Sequence, residues 1–171
     1  YNWELIAGGD FSTAGDTNAN RIAAWDGSSW SSLGSGIEGN AVQSLCVWDD
    51  KLIAGGNFST AGGVPAMRIA CWDGSEWSSL GSGLGSSVRA LCTYDGMLVA
   101  GGSFTAAGDV TANRIATWDG NEWSPLGSGM NSDVYALTVY DGRLVAGGDF
   151  TTAGDVDANR VAAWDGSSWS A

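Results

Sequence analysis

A chain of 171 residues, 44% of them apolar, is long enough for one ordinary domain or part of a repeat array and too apolar to be disordered. Its 19 acidic residues against seven basic ones leave a net charge of −12, a field that repels nucleic-acid phosphates and anionic membranes. No run of about 18 apolar residues is available to span a bilayer, and the lack of histidine removes the commonest general base and metal ligand.

One pattern is written four times, in repeats covering approximately 1–40, 41–86, 87–132 and 133–171. Its arginines, Arg21, Arg68, Arg114 and Arg160, step by 47, 46 and 46 residues, a period typical of solenoids and propellers. In chain order, each full repeat opens on an apolar strand at Val42–Trp48, Val88–Tyr94 or Val134–Tyr140. Apolar side chains on both parities suit a strand covered on both faces. Asp95-Gly96 and Asp141-Gly142 then signal two-residue hairpins, whereas Asp49-Asp50 fits that turn less well. A second strand, Leu98–Phe104 in the third repeat, carries Gly101-Gly102, with copies at Gly8-Gly9, Gly55-Gly56 and Gly147-Gly148. Paired glycines there imply close approach of another backbone, or a bulge.

A loop rich in Ala, Gly, Asp and Asn follows. A third strand, Arg114–Trp118, runs into Asp119-Gly120, and a fourth opens at Trp123. No segment holds a 3.6-residue period. The chain therefore reads as all-β, a β-propeller of four blades of about 46 residues and four strands each, with the first and last blades incomplete. About fifteen short strands are expected.

The residues LxAGGxFTTAG…ANRIAxWDGSxWSxLGSGM resemble the kelch family of propellers, and more closely the kelch-like arrays of secreted bacterial proteins and fungal cell-surface polarity markers. The resemblance implies an extracellular or cell-surface location and a scaffold or binding role. The copper chemistry of kelch enzymes such as galactose oxidase needs histidine, which this chain lacks. Ala100–Pro125 and Ala146–Ala171 share 18 of 26 positions (26 less eight differences), and a catalytic centre normally breaks such symmetry. No enzyme activity is expected.

Candidate sites follow from departures and repeats. Asp16, Asp109 and Asp155 lie in the loops after the double glycines, and Asp155, Asp157 and Asn159 place oxygens at the spacing that begins a calcium loop. The following Gly and bidentate Glu are absent, so turn-forming Asx chemistry is preferred and no cofactor is expected. The four arginines read as structural, paired with Asp26, Asp73, Asp119 or Asp165 and largely buried. Trp25, Trp72, Trp118 and Trp164, with their partners five residues on, should fill the wedges between blades. The unrepeated Trp3 and Trp48 are the better surface binding candidates. Cys46, Cys71 and Cys92 read as small buried hydrophobes.

Two functions remain: a non-catalytic scaffold or surface component that associates with copies of itself, and a glycan- or protein-binding propeller with one weak site per blade. The chain opens at Tyr1 without a leader, as a processed chain or a fragment would. Tyr1 aligns with Tyr94, and Ala171 with Pro125, so closing the period needs the equivalent of Leu126–Val139, 14 residues. A closed four-bladed ring would thus lack one innermost strand, and a longer chain or an assembly is expected to cover the open ends.

Overall fold

The computed structural model describes residues 1–171, all strands and turns without a helix. Each repeat is one antiparallel sheet. The second blade orders Ile37–Trp48, Lys51–Ala61, Ile69–Trp72 and Trp77–Ser79; the third Val88–Tyr94, Met97–Gly102, Ile115–Trp118 and Trp123–Pro125. The fourth uses Val134–Tyr140, Arg143–Gly148, Val161–Trp164 and Trp169–Ser170. The first has Leu5–Gly8, Ile22–Trp25 and Trp30–Ser32, with no counterpart of the opening strand. These fifteen strands (3 + 4 + 4 + 4) are the expected set.

Seven further strands of two residues lie in the loops after the double glycines, which the sequence left irregular. Ala106–Ala107 pairs with Val110–Thr111, and Thr152–Ala153 with Val156–Asp157. Their tips turn on Gly108 and Gly154 at φ of 57° and 58°, a region where glycine pays no Cβ penalty. The opening hairpins also turn as predicted, with Asp95 and Gly96 at φ 50° and 74°. Asp49-Asp50, the poorer fit, adopts the same turn, with both residues at positive φ, 51° and 56°. Aspartate tolerates left-handed backbone better than most side chains. Asn2 and Trp3 make the equivalent turn in the first blade.

The two glycines of each pair serve different contacts. A Cβ on Gly55 or Gly101 would sit 2.6 or 2.7 Å from a Cγ1 of Val88 or Val134, the valine of the next blade. A Cβ on Gly102 or Gly148 would meet the carbonyl of Ser87 or Asp133 at 2.0 Å, where the blade's own opening strand bulges toward it. Close approach and bulge therefore coexist.

The core lies between blades. In the third blade Leu98 and Ala100 face back to Ile53 and Ile69 of the second, while Val99 and Ile115 face forward to Leu144 and Phe150 of the fourth. That division of parities explains why the strands are apolar on both faces. Each fully buried Ile, Leu or Phe contributes about 1.5–3 kcal/mol. Three such wedges join first to second, second to third and third to fourth blades. No core cluster joins the fourth blade to the first. Accordingly Val161 is 55% exposed, whereas its equivalents Ile22, Ile69 and Ile115 are fully buried.

Candidate functional site

The seams between blades are the most regular chemistry of the chain. Trp77, Trp123 and Trp169 donate their indole Nε1–H to the carbonyls of Leu33, Leu80 and Leu126 in the preceding blade at 2.9, 3.0 and 3.3 Å. Each packs with the tryptophan five residues before it, ring centroids 5.2–5.3 Å apart. Backbone N–H groups of Gly62, Gly108 and Gly154 reach back to Gly36, Gly83 and Gly129 at 2.7–2.8 Å. The wedge role expected of Trp72 and Trp118 fits their burial; Trp25 and Trp164, in the end blades, are half-buried.

A second seam contact lies at the other end of the sheets. An aromatic at the opening hairpin of each of the first three blades, Tyr1, Trp48 or Tyr94, reaches over the Trp-Asp-Gly turn of the next blade. A Cβ on Gly74 would lie 3.5 Å from the Tyr1 hydroxyl, on Gly120 3.4 Å from the Trp48 ring, and on Gly166 3.8 Å from the Tyr94 hydroxyl. Trp48 also donates Nε1–H to the carbonyl of Gly96 at 2.9 Å. It is half-buried in the seam and lines an open cleft of about 570 Å³ with Asp119 and Gly120. Trp3 is the exposed one, at 104% and φ 65°.

The four arginines occupy one strained corner, at φ of 63–69°, just before the third strand. Arg21 donates across the seam to the carbonyls of Asn40 and Ile37 at 2.7 and 3.2 Å. Arg114 donates to the Phe104 carbonyl at 3.2 Å and holds Nε 3.3 Å from Asp133 Oδ1. That Nε–H is not aimed at the carboxylate, so the contact is an ion pair rather than a hydrogen bond. Arg160 pairs with Asp149, and its side chain is 67% exposed rather than buried. Arg68 has a buried Nε without a partner.

None of the arginines meets the Trp-Asp-Gly aspartates, which corrects the expected pairing. Asp26, Asp73, Asp119 and Asp165 each accept the two backbone N–H groups two and three residues on, at 2.7–2.9 Å. A carboxylate that closes its own turn needs no distant cation. These N–H donors hold all four carboxyls below the usual aspartate range, Asp26 at about 2.

One cluster breaks the symmetry and was missed in the sequence. Asp133, Tyr135 and Asp149 stand where the third blade has Ser87, Arg89 and Ser103. The Tyr135 hydroxyl donates to Asp149 Oδ2 at 2.7 Å, Arg89 lies 5.2 Å over the Tyr135 ring, and Arg89 and Arg114 flank Asp133. The bond to Asp149 raises the Tyr135 phenol and lowers the carboxyl. The group is a polar network in which the buried Nε atoms of Arg89 and Arg114 find no hydrogen-bond acceptor, and no nucleophile is poised against a base. Its signal was three polar exchanges in one blade, hidden among small-for-small differences.

The loop aspartates are dispersed. Asp16, Asp109 and Asp155 sit exposed at separate hairpin tips. Asp157 faces Thr152 across its hairpin, and no three His, Cys, Asp or Glu side chains form a metal-binding group. Asp155 borders a cleft of about 290 Å³ walled by Trp164, Trp169, Ser167 and Ser168. The three thiols are free, Cys71 buried and Cys46 and Cys92 half-buried, and burial pushes Cys92 up to about 12.

Among curated proteins no match is found. Of solved structures, the crystal structure of the computationally designed Ika8 protein is similar at 23% identity with a TM-score of 0.51. The match covers 94% of this chain and 46% of that one, so the chain spans about half the length of the design. The family described as a β-propeller domain of unknown function, DUF5122, matches residues 141–162. The Rax2 C-terminal beta propeller domain matches residues 1–139, well over half the length, and the chain belongs to that propeller family.

Proposed function

We propose that this chain is a non-catalytic, self-associating propeller scaffold, kelch-like in its repeat and placed outside the cell or on its surface. The observation that carries the reading is the uncovered wedge at the ends of the row. Val161 is 55% exposed on the fourth blade and Leu5 64% on the first, while their equivalents inside the row are buried. Apolar surface of this kind is stabilised by another blade, as it is three times within the chain. The surface location rests on the resemblance of the repeat and is tested separately by fractionating the source cells.

Light scattering across a concentration series tests the association. The account expects the mass to rise from 17.5 kDa toward multiples of it, and more strongly at high salt, because a charge of −12 on each copy repels until screened. Val161→Arg should hold the mass at one chain. A single-chain mass at every concentration and salt would remove the reading.

A second reading, glycan binding, draws on the cleft lined by Asp155, Trp164 and Trp169. Aromatic faces and carboxylate acceptors suit sugar rings, and a glycan array tests it.

A further inference from the structure

Three of the four corner arginines find their acceptors within the chain. Arg21 donates to the carbonyls of Asn40 and Ile37, Arg114 donates to that of Phe104 and faces Asp133, and Arg160 meets the Asp149 carboxylate. Arg68 is the exception. No carboxylate pairs with its guanidinium, its one hydrogen-bond partner is the Met67 sulfur at 3.8 Å, and its Nε is buried without an acceptor. Arg160 takes its carboxylate from the position 11 residues earlier, and Arg114 from the position 19 residues later. Around Arg68 those two positions hold Asn57 and Ser87. A planar fork suited to two parallel bonds with a carboxylate is left among neutral neighbours.

Beside Arg68 the second blade departs from the repeat. The step from Arg21 to Arg68 is one residue longer than the other two, 47 against 46. The opening strand takes up the additional residue as a bulge, with Gly39 opposite Phe58 and Ala41 opposite Asn57, so that Asn40 stands outside the ladder. Gly39 sits at φ 142°, and a Cβ there would lie 2.5 Å from Phe58 Cα. Between this bulge, Asn57 to Ser59 and Arg68 lies a cleft of about 150 Å³. Two carboxamides, a hydroxyl and the guanidinium line it, and its single apolar residue, Phe58, is only 2% exposed. The acid nearest in sequence, Glu38, is engaged by Thr60, whose hydroxyl donates to Glu38 Oε2 at 3.1 Å.

We infer that this cleft binds a hydroxylated sugar acid, a uronate residue, with Arg68 gripping the carboxylate and Asn40, Asn57 and Ser59 bonding the ring hydroxyls. A carboxylate is what the same corner holds at Arg114 and Arg160. Carboxamides and a serine hydroxyl both donate and accept, which matches sugar hydroxyls. An acidic peptide finds no exposed apolar wall here on which to anchor. The site shares no residue with the cleft beside Asp155, and it stands whether or not the chain associates with itself.

Titration with sodium D-glucuronate at constant ionic strength, followed by NMR of the Arg68 Nε–H and the Ser59 amide, tests the site. Both signals are expected to shift and saturate at millimolar acid. D-glucose, lacking the carboxylate, should half-saturate at least about ten-fold higher, the loss expected for one hydrogen bond between charged groups. Asn57→Asp places a carboxylate where Arg160 has Asp149, and it should occupy the guanidinium and abolish the shift without lowering the melting temperature. Arg68→Lys keeps the charge but loses the fork, and it should weaken binding several-fold at the Ser59 amide, a second check should Asn57→Asp fail to fold. Signals that ignore glucuronate, or move equally with glucose, would overturn the site, as would an unchanged titration in a folded Asn57→Asp or Arg68→Lys chain. A blocked glutamate tripeptide that binds more tightly than glucuronate would overturn the sugar as the ligand.

Discussion

The indole Nε1–H of Trp123 donates to the carbonyl of Leu80 at 3.0 Å, tying together two blades through residues 43 apart in sequence. The bond is buried, so its loss leaves an acceptor that water cannot reach. Trp123→Phe keeps an aromatic in the wedge but strands the Leu80 carbonyl. It should cost about 1–3 kcal/mol, read as a lower denaturation midpoint. Trp3→Phe, at a fully exposed turn, should leave the midpoint unchanged.

Glycines at one repeat position should differ in tolerance according to their neighbour. A Cβ on Gly101 would sit 2.7 Å from Val134 Cγ1, while at Gly147 the nearest atom is 3.8 Å away. Gly101→Ala should therefore destabilise by about 1–3 kcal/mol through overpacking. Gly147→Ala should be near neutral in thermal melts of the dilute chain. Equal melting losses in the two variants would contradict the open fourth wedge.

Much of this fold was legible because each local signal agrees with the architecture. Asp95-Gly96 fixes a hairpin, Gly101-Gly102 fixes close approach, and apolar residues on both parities announce a sheet covered on two faces. The site was less legible. Asp119 looked like a partner for Arg114, but sequence spacing does not show that its carboxylate closes onto Asn121 and Glu122 instead. Trp48 looked solitary because its role depends on a turn in the next blade. Asp133 and Tyr135 escaped notice because a network of charges converges only in space, while the repeat encourages averaging over blades.

Among the corner arginines, Arg114 should matter more than Arg160. Arg114 and Asp133 are each about a quarter exposed (24% for both side chains), whereas Arg160 lies mostly in solvent. Arg114→Met should cost about 1–2 kcal/mol, less than a fully buried pair would, since Arg89 still faces Asp133. Arg160→Met should fall within about 0.5 kcal/mol of the parent. Chemical denaturation of both variants checks the order.

The Trp-Asp-Gly carboxyls set a pH window. Their folded pKa values are depressed by N–H donors, so their stabilisation is complete above the unfolded aspartate value near 3.8 and is lost as pH falls through the folded value, about 2 at Asp26. The turns should stay closed at pH 4 and open progressively toward pH 2. An NMR titration of the Asp26 carboxyl should give a midpoint well below 3.8, and an ordinary midpoint would show that the turn bonds do not persist in solution.

The proposed self-association through exposed apolar surface is tested most directly by hydroxyl-radical footprinting at low and high protein concentration. The account predicts that oxidation of Tyr140, Val161 and Leu5 falls several-fold as concentration rises, while that of Met67, exposed in the middle of the row, stays constant. Oxidation of Tyr140 and Leu5 that is unchanged at all concentrations, or protection that appears at Met67 instead, would contradict it.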